Sequence, residues 1–281
     1  QYAFNSAFAV IAAEGGISGS FDSVSITGFS TIYRPTLRSD ANGLSLVLAP
    51  NSIAALVGPS LTGNQAAVAA RFDAAVLAGF NPDAFADIYD LAPAQLAEAL
   101  NQLSGEVHPA MGRAAMRQSR LLREAVLDQA ASGPARADDT ARGGWSGWGK
   151  LMRAWGDVDS DNGAASQDID SEGFVAGFDG GAATEARSFR AGVYVSYLDT
   201  RTRIDARGSS GRIEQTGGGV YAAVTLGGVS LAAGGGAADF DVSTDRVVSL
   251  PGLAGRTTSA SKGDMAQVFG RIGYKVELGD A

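Results

Sequence analysis

The chain has 281 residues, 45% of them hydrophobic, and a formal net charge of −8, which leaves no basic excess to neutralise phosphates and argues against nucleic acid as a main partner. It has no cysteine and one histidine, so disulfides, thiolate catalysis and multi-histidine or cysteine metal sites are excluded. Glycine is abundant at 38 residues and proline scarce at 8, a balance that suits close-packed strands and tight turns more than disorder.

Residues 1–50 read as short strands broken by turns: Tyr2 to Ala13, Phe21 to Ile26, Thr31 to Arg38 and Leu44 to Leu48, with a break at Gly15-Gly16. Asn42-Gly43 is a strong hairpin signal. After it, Leu44, Leu46 and Leu48 share one face, and Ser45 and Val47 the other, as a half-buried strand requires. Stacked rungs of this kind fit the end of a β-solenoid; a small independent β-domain is the competing reading. The chain opens at Gln1 with neither Met nor a leader, and is read as part of a longer protein.

From Asn51 the texture becomes alanine-rich with helical period. Val68, Phe72 and Val76 make one apolar face, and Gly79 with Asn81-Pro82 ends the run. A second helix from Pro93 aligns Leu96, Leu100 and Leu103. A third begins near His108-Pro109 and runs through Asp128, about 30 Å at 1.5 Å per residue. Arg113, Arg117, Arg120 and Arg123 form a basic stripe along it, which lipid would not tolerate on an isolated span, and whose plain reading is a solvated face. Residues 132–143 (SGPARADDTARG) read as a polar connector.

From Gly144 onward strands alternate with period two. In Phe189 to Leu198 the odd positions are Phe, Ala, Val, Val and Tyr; the even ones include Arg190, Gly192, Tyr194 and Ser196. In the last strand Val268, Ile272, Tyr274, Val276 and Leu278 oppose Gln267, Arg271, Lys275 and Glu277. Six strands follow from turns at 159–163, Gly180-Gly181, 207–211, Gly227-Gly228 and 251–255. Short glycine turns alternate with longer polar stretches at 157–170, 201–212 and 244–261, the asymmetry of a membrane β-barrel. No apolar run reaches 18 residues, so no helix spans a membrane; a barrel leaves no such signal. The apolar face is expected to meet lipid and the small or charged face the lumen, with Trp155, Phe174, Phe178, Tyr197 and Tyr274 as candidates for an aromatic girdle. The arginine stripe is expected to face lumen acids such as Asp199, Glu214 or Asp239.

The segments ALNQLSGEVHPAM (99–111), SRLLREAVLDQ (119–129) and GGWSGWGK (143–150) resemble the pre-barrel region of bacterial autotransporters, and residues 9–51 resemble the last passenger rungs of that family. The resemblance implies a chain mainly β in class. Residues 1–50 would end a β-helical passenger, 51–143 form a helical linker with a lumen helix, and 144–281 supply part of a transmembrane barrel of about twelve strands. It further implies a Gram-negative outer-membrane location, with the passenger at the cell surface. The implied partners are outer-membrane lipid, the barrel assembly machinery, periplasmic chaperones and the protein's own upstream passenger. Export would be driven by passenger folding without nucleotide, and an enzyme or adhesin upstream is the alternative reading.

Chemistry within the chain itself is thin. His108 beside Glu106 imitates an acid-base pair, but it lies where a helix begins and reads as structural. Asp157, Asp159 and Asp161 imitate the start of a calcium loop, but an EF-hand's sixth and twelfth places hold Asn162 and Asp168 instead of glycine and glutamate. No serine stands in G-x-S-x-G. Gly217 to Gly219 and Gly234 to Gly236 lie within strands and are expected where a helix approaches the wall. No catalytic residue, metal site or cofactor is expected.

Overall fold

The structure, a computed structural model, describes residues 2–19, 21, 23–132, 144–184 and 187–275. The connector at 133–143 and the positions Val276, Glu277 and Leu278 lie outside the described residues. The chain divides into two compact units: Gln1–Ser104 with Asp161–Ala164 and Val247–Arg256, and Gly105–Ser160 with Ala165–Arg246 and Thr257–Ala281.

In the first unit β1 (Ala7–Ala12), β2 (Tyr33–Ser39) and β3 (Gly43–Pro50) form an antiparallel sheet in the order β1-β3-β2. The rungs expected here thus run antiparallel, because a tight turn at Asp40 to Asn42 returns the chain beside itself, whereas parallel neighbours need a long crossover. Leu44 and Leu48 are buried, on the face the alternation gave them. The stretch 21–26, read as a strand, joins no ladder among the described residues; Gly19 and Gly28, both at positive φ, turn the chain on either side of it.

Helices α1 (Ile53–Val57), α2 (Gly63–Leu77), α3 (Ala86–Tyr89) and α4 (Pro93–Leu103) follow. Helix α2 starts on a capping box, in which Thr62 accepts from the Gln65 amide and the Gln65 side chain accepts from that of Thr62. It ends before Gly79, whose φ of +96° is left-handed. Leu96 and Leu100 join Phe4, Tyr33, Leu48, Ile53, Ile88 and Tyr89 in one core.

Helix α5 (Val107–Ala131) is followed by a six-stranded antiparallel sheet of β4 (Trp145–Val158), β5 (Gln167–Ala183), β6 (Arg187–Ile204), β7 (Ser209–Leu226), β8 (Val229–Leu250) and β9 (Leu253–Tyr274), with strands in chain order; apart from residues 247–256 these belong to the second unit. A membrane strand needs only about 9–11 residues. These run from 14 to 22, so the expected long loops at 201–212 and 244–261 are mostly strand, turning only at 205–208 and 251–252. Polar composition there marks strand extending past an apolar band, since ladder bonds form whatever the side chains. Gly180-Gly181 likewise lies inside β5, which runs on to Ala183, and the Thr184 amide donates to the Arg187 carbonyl at 2.7 Å. The turn at Gly227-Gly228 stands where it was read.

Candidate functional site

The sheet has two chemically opposite faces, and helix α5 packs on one of them, against β5, β6 and β7. Register and period two assign the faces. On β6 the inward positions Arg190, Tyr194, Ser196 and Leu198 are buried, and the outward Phe189, Val193 and Val195 are exposed. The outward row Leu151, Phe174, Tyr197 aligns across β4, β5 and β6. Further rows toward the Gly227-Gly228 turn bring together Ala176 with Val195, and Phe178 with Val193 and Val220. From Phe189 to Tyr197 this band runs about 27 Å along the strand at about 3.4 Å per residue, the span of a tilted strand crossing the apolar layer of an outer-membrane barrel. Leu151, 92% exposed, and Val195, 60% exposed, have no reason to stand bare in water at such density.

Helix α5 is held to the inner face by polar contacts at both ends and in the middle. At its start Glu106, where a carboxylate suits the positive end of the helix dipole, pairs with Arg207 at 3.0 Å and accepts from the Ala165 amide at 2.9 Å; both charged side chains are buried. In the middle Gln118, fully buried, donates to Thr200 Oγ1 at 2.7 Å and to the Ile213 carbonyl at 3.3 Å, and Thr200 donates on to Ser171. Near the end Lys150 donates to the Ala125 carbonyl at 3.1 Å and Arg190 to the Gln129 carbonyl at 2.8 Å, the second of these in the last turn, where a cation suits the negative pole of the helix. Asp179 ties this end together: it is 1% exposed, accepts from Gln129 at 2.9 Å, from Ser146 at 3.2 Å and from the Tyr221 hydroxyl, and lies 3.6 Å from Arg190. Apolar packing fills the intervals, with Met111 and Ala114 against Ile204, Ile213 and Phe240, and Leu122 and Val126 against Val175, Tyr194 and Tyr221.

The residues singled out from the sequence fall as follows. Arg113 donates to Gln167 at 3.0 Å, Arg117 to the Trp155 carbonyl at 3.1 Å, and Arg120 pairs along its own helix with Glu124 at 2.8 Å. None reaches the acids proposed for it. Asp199, Glu214 and Asp239 occupy outward positions on β6, β7 and β8, and the register places Asp199 beside Glu214 and Thr216 beside Asp239. Asp199 is taken by Arg212 at 2.7 Å and Arg201 at 3.4 Å. One-residue parity decides the matter, since odd positions of β6 point away from the helix.

Among the girdle candidates, Tyr197 and Phe174 stand side by side at one margin of the apolar band, ring centroids 6.3 Å apart, with the Tyr197 hydroxyl donating to Glu214 at 2.9 Å. Tyr274 lies at the opposite margin, where the next amide, Lys275, donates to the Gly228 carbonyl. Phe178 is exposed within the band, and Trp155 stands exposed one row beyond the Arg153 row. His108 is exposed, and its neighbour Glu106 pairs with Arg207 instead. Among the described residues no acidic or histidine cluster could hold a metal ion.

The strand glycines do not serve the helix as expected. A Cβ at Gly219 or Gly236 would overlap the Tyr194 hydroxyl, and one at Gly234 would meet the Phe269 ring at 2.6 Å. These glycines leave room for aromatic rings lying flat along the inner wall. Helix approach does explain Gly156, under the Arg117 guanidinium, and Gly211, under Met111. The residues that sequence reasoning missed, Glu106, Gln118, Asp179 and Arg190, carried one usable signal: a charged or amide side chain on the buried parity of a strand or helix.

Residues 147–281 match the family model described as the autotransporter beta-domain. The strand-rich part of this chain is an autotransporter β-domain. Two curated relatives from Serratia marcescens, each called an extracellular serine protease, are 27% identical over 182 residues and 26% identical over 183, in each case 64% of this chain. The chain spans about a sixth of their length, 17% of each. No solved structure gives a significant match. An autotransporter β-domain is a translocator and implies the outer membrane of a Gram-negative bacterium, in keeping with strands whose exposed face is apolar.

Proposed function

We propose that this chain is the export and anchoring end of an autotransporter. Residues 1–50 close a passenger, residues 51–143 link it through α5, and residues 144–281 supply barrel wall that holds the protein in the outer membrane while its own N-terminal passenger reaches the cell surface. The observation that carries this reading is α5 itself: a helix bound by buried polar contacts to the inner face of a sheet whose other face is apolar and bare. A water-filled or helix-filled lumen inside lipid is the setting in which that inversion of polarity is stable. The barrel assembly machinery and periplasmic chaperones are the partners this route requires.

Surface display is tested by placing an epitope tag after Gly15 in the full-length protein and treating intact cells with protease. The tag is expected to be lost from intact cells, while the β-domain stays protected until the outer membrane is breached. A tag protected in intact cells contradicts export. The names of the Serratia relatives favour a proteolytic passenger upstream of Gln1 over an adhesin; casein digestion by washed cells expressing the full-length protein checks it, and no digestion above background removes that reading.

A further inference from the structure

Beyond the apolar band the outward rows turn abruptly ionic. Two residues past Leu151, Phe174 and Tyr197 comes the row Arg153, Glu172, Asp199, Glu214, Asp241, and two further comes Trp155, Asp170, Arg201, Arg212, Ser243. The step is about 7 Å along the strand, so these charges stand at the level where a lipid tail gives way to its headgroup. Within them a cavity of about 180 Å³ is lined by Arg153, Arg201, Arg203, Asp170, Glu172 and Asp199. At about 30 Å³ per water molecule it has room for a phosphate group.

We propose that Arg153, Arg201 and Arg203 form a binding site for the phosphate of a lipid headgroup at the membrane rim, an inference that rests on the membrane reading above. The local charges do not favour an anion in sum, four arginines including Arg212 standing against Asp168, Asp170, Glu172, Asp199, Glu214 and Asp241, so the case turns on which donors are free. Arg212 closes on Asp199 with Nε and Nη2 at 2.7 to 3.1 Å and also reaches Glu214 at 3.1 Å, so it and Asp199 are spent on each other. The other contacts are loose: Arg201 to Asp199 at 3.4 Å and Arg203 to Asp170 at 3.7 Å, with the two arginine side chains 65% and 62% exposed. Exposed pairs of that geometry contribute little, and a phosphate with three acceptor oxygens competes for the same guanidinium forks with shorter, charge-assisted bonds. Arg153, on the neighbouring strand, makes no ion pair among the described residues. The exchange releases Asp170, which is 58% exposed and returns to water.

The test uses the full-length protein and its Arg153→Gln/Arg201→Gln/Arg203→Gln variant, reconstituted into phosphatidylcholine vesicles containing either a bis-phosphorylated glycolipid or the same glycolipid dephosphorylated. Alkali-resistant membrane retention reads the membrane assignment, and native mass spectrometry after detergent extraction reads retained lipid. The wild type is expected to keep the phosphorylated glycolipid, and the variant to bind it at least about tenfold more weakly, one charge-assisted bond being worth roughly that factor. Heat-modifiable gel mobility verifies the variant's fold. If the triple variant fails to fold, Arg153→Gln alone carries the test, with a smaller loss expected. Equal retention by both proteins, or no preference for the phosphorylated lipid, overturns the site. Full competition by inorganic phosphate makes it a free-anion site and overturns the lipid assignment. Loss of both proteins from washed membranes overturns the membrane reading and this inference with it.

Discussion

Replacing Asp179 by Asn removes one charge from the inner wall without changing its shape, and its consequence can be worked from the contacts. Asp179 accepts from Gln129, Ser146 and Tyr221 and faces Arg190, whose side chain is 6% exposed. An amide keeps one acceptor oxygen, turns its NH2 group toward existing donors, and leaves the Arg190 guanidinium as a buried cation without its counter-charge. Breaking a buried pair by removing one partner costs about 3–5 kcal/mol, a factor of roughly 10² to several times 10³ in the folded to unfolded ratio. Because Gln129 belongs to α5, the loss also loosens the end of the helix. The assay is urea unfolding of the refolded protein in detergent, followed by Trp fluorescence; Trp148 lies 6.1 Å from the Tyr221 ring and reports on this corner. The companion Asp179→Leu/Arg190→Met variant, which removes both charges, should recover most of the deficit. A deficit below about 1 kcal/mol in Asp179→Asn, or a double variant no better than the single, would refute the claim that this buried pair anchors the helix.

Three further outcomes are expected. Gly236→Val should prevent the Tyr194 ring from lying on the wall and lower the unfolding midpoint by an amount worth about 1–3 kcal/mol, typical of overpacking; adding Tyr194→Ala should restore part of it, and no restoration would mean that the glycine serves something else. Val220→Arg, on the exposed apolar face, should cost about 2–4 kcal/mol in a bilayer, against the half kilocalorie or so of an ordinary surface exchange, as read by folding into vesicles. In the first unit, burial and the neighbouring Asp73 carboxylate push the Tyr89 hydroxyl up to about 12 from its usual 10.0. Its pKa is higher folded than unfolded, so the stability it contributes is intact below about pH 10 and is lost as pH rises through 10 toward 12. Alkaline urea titrations should therefore show a smaller fall for Tyr89→Phe than for the wild type, and parallel falls would exclude Tyr89 as the source.

The pattern of faces was legible because alternation needs nothing but spacing. Phe189, Val193 and Val195 against Arg190, Tyr194 and Ser196 assign two sides of one strand without any partner, and hairpin order follows from the turns. Element ends were harder. Polar residues such as Thr202, Ser209 and Ser210 look like loop in sequence, yet their backbones continue the β6–β7 ladder, because pairing extends as far as the neighbouring strand does. Gly180-Gly181 reads as a turn for the same reason, although Cβ atoms there would collide with the Phe189 carbonyl and the Trp145 ring, so glycine is required by the adjacent chain. The stripe of arginines was visible on α5, but its partners were not: they depend on the parity of Asp199 and Glu214 on strands far away in sequence. Asp179 and Gln118 were invisible individually, since a polar residue on a small-residue face becomes meaningful only when the helix that covers it is placed.

Whether the outward face meets lipid is decided most directly by a spin label attached to Val195→Cys in the protein folded into vesicles, with collision rates measured against lipid-soluble oxygen and a water-soluble nickel complex. Val195 stands within the apolar band, one row inside its Tyr197 margin, and is 60% exposed. Oxygen collisions well in excess of nickel collisions are predicted, with the order reversed at Arg203→Cys beyond the band; nickel dominating at Val195 would contradict the translocator account.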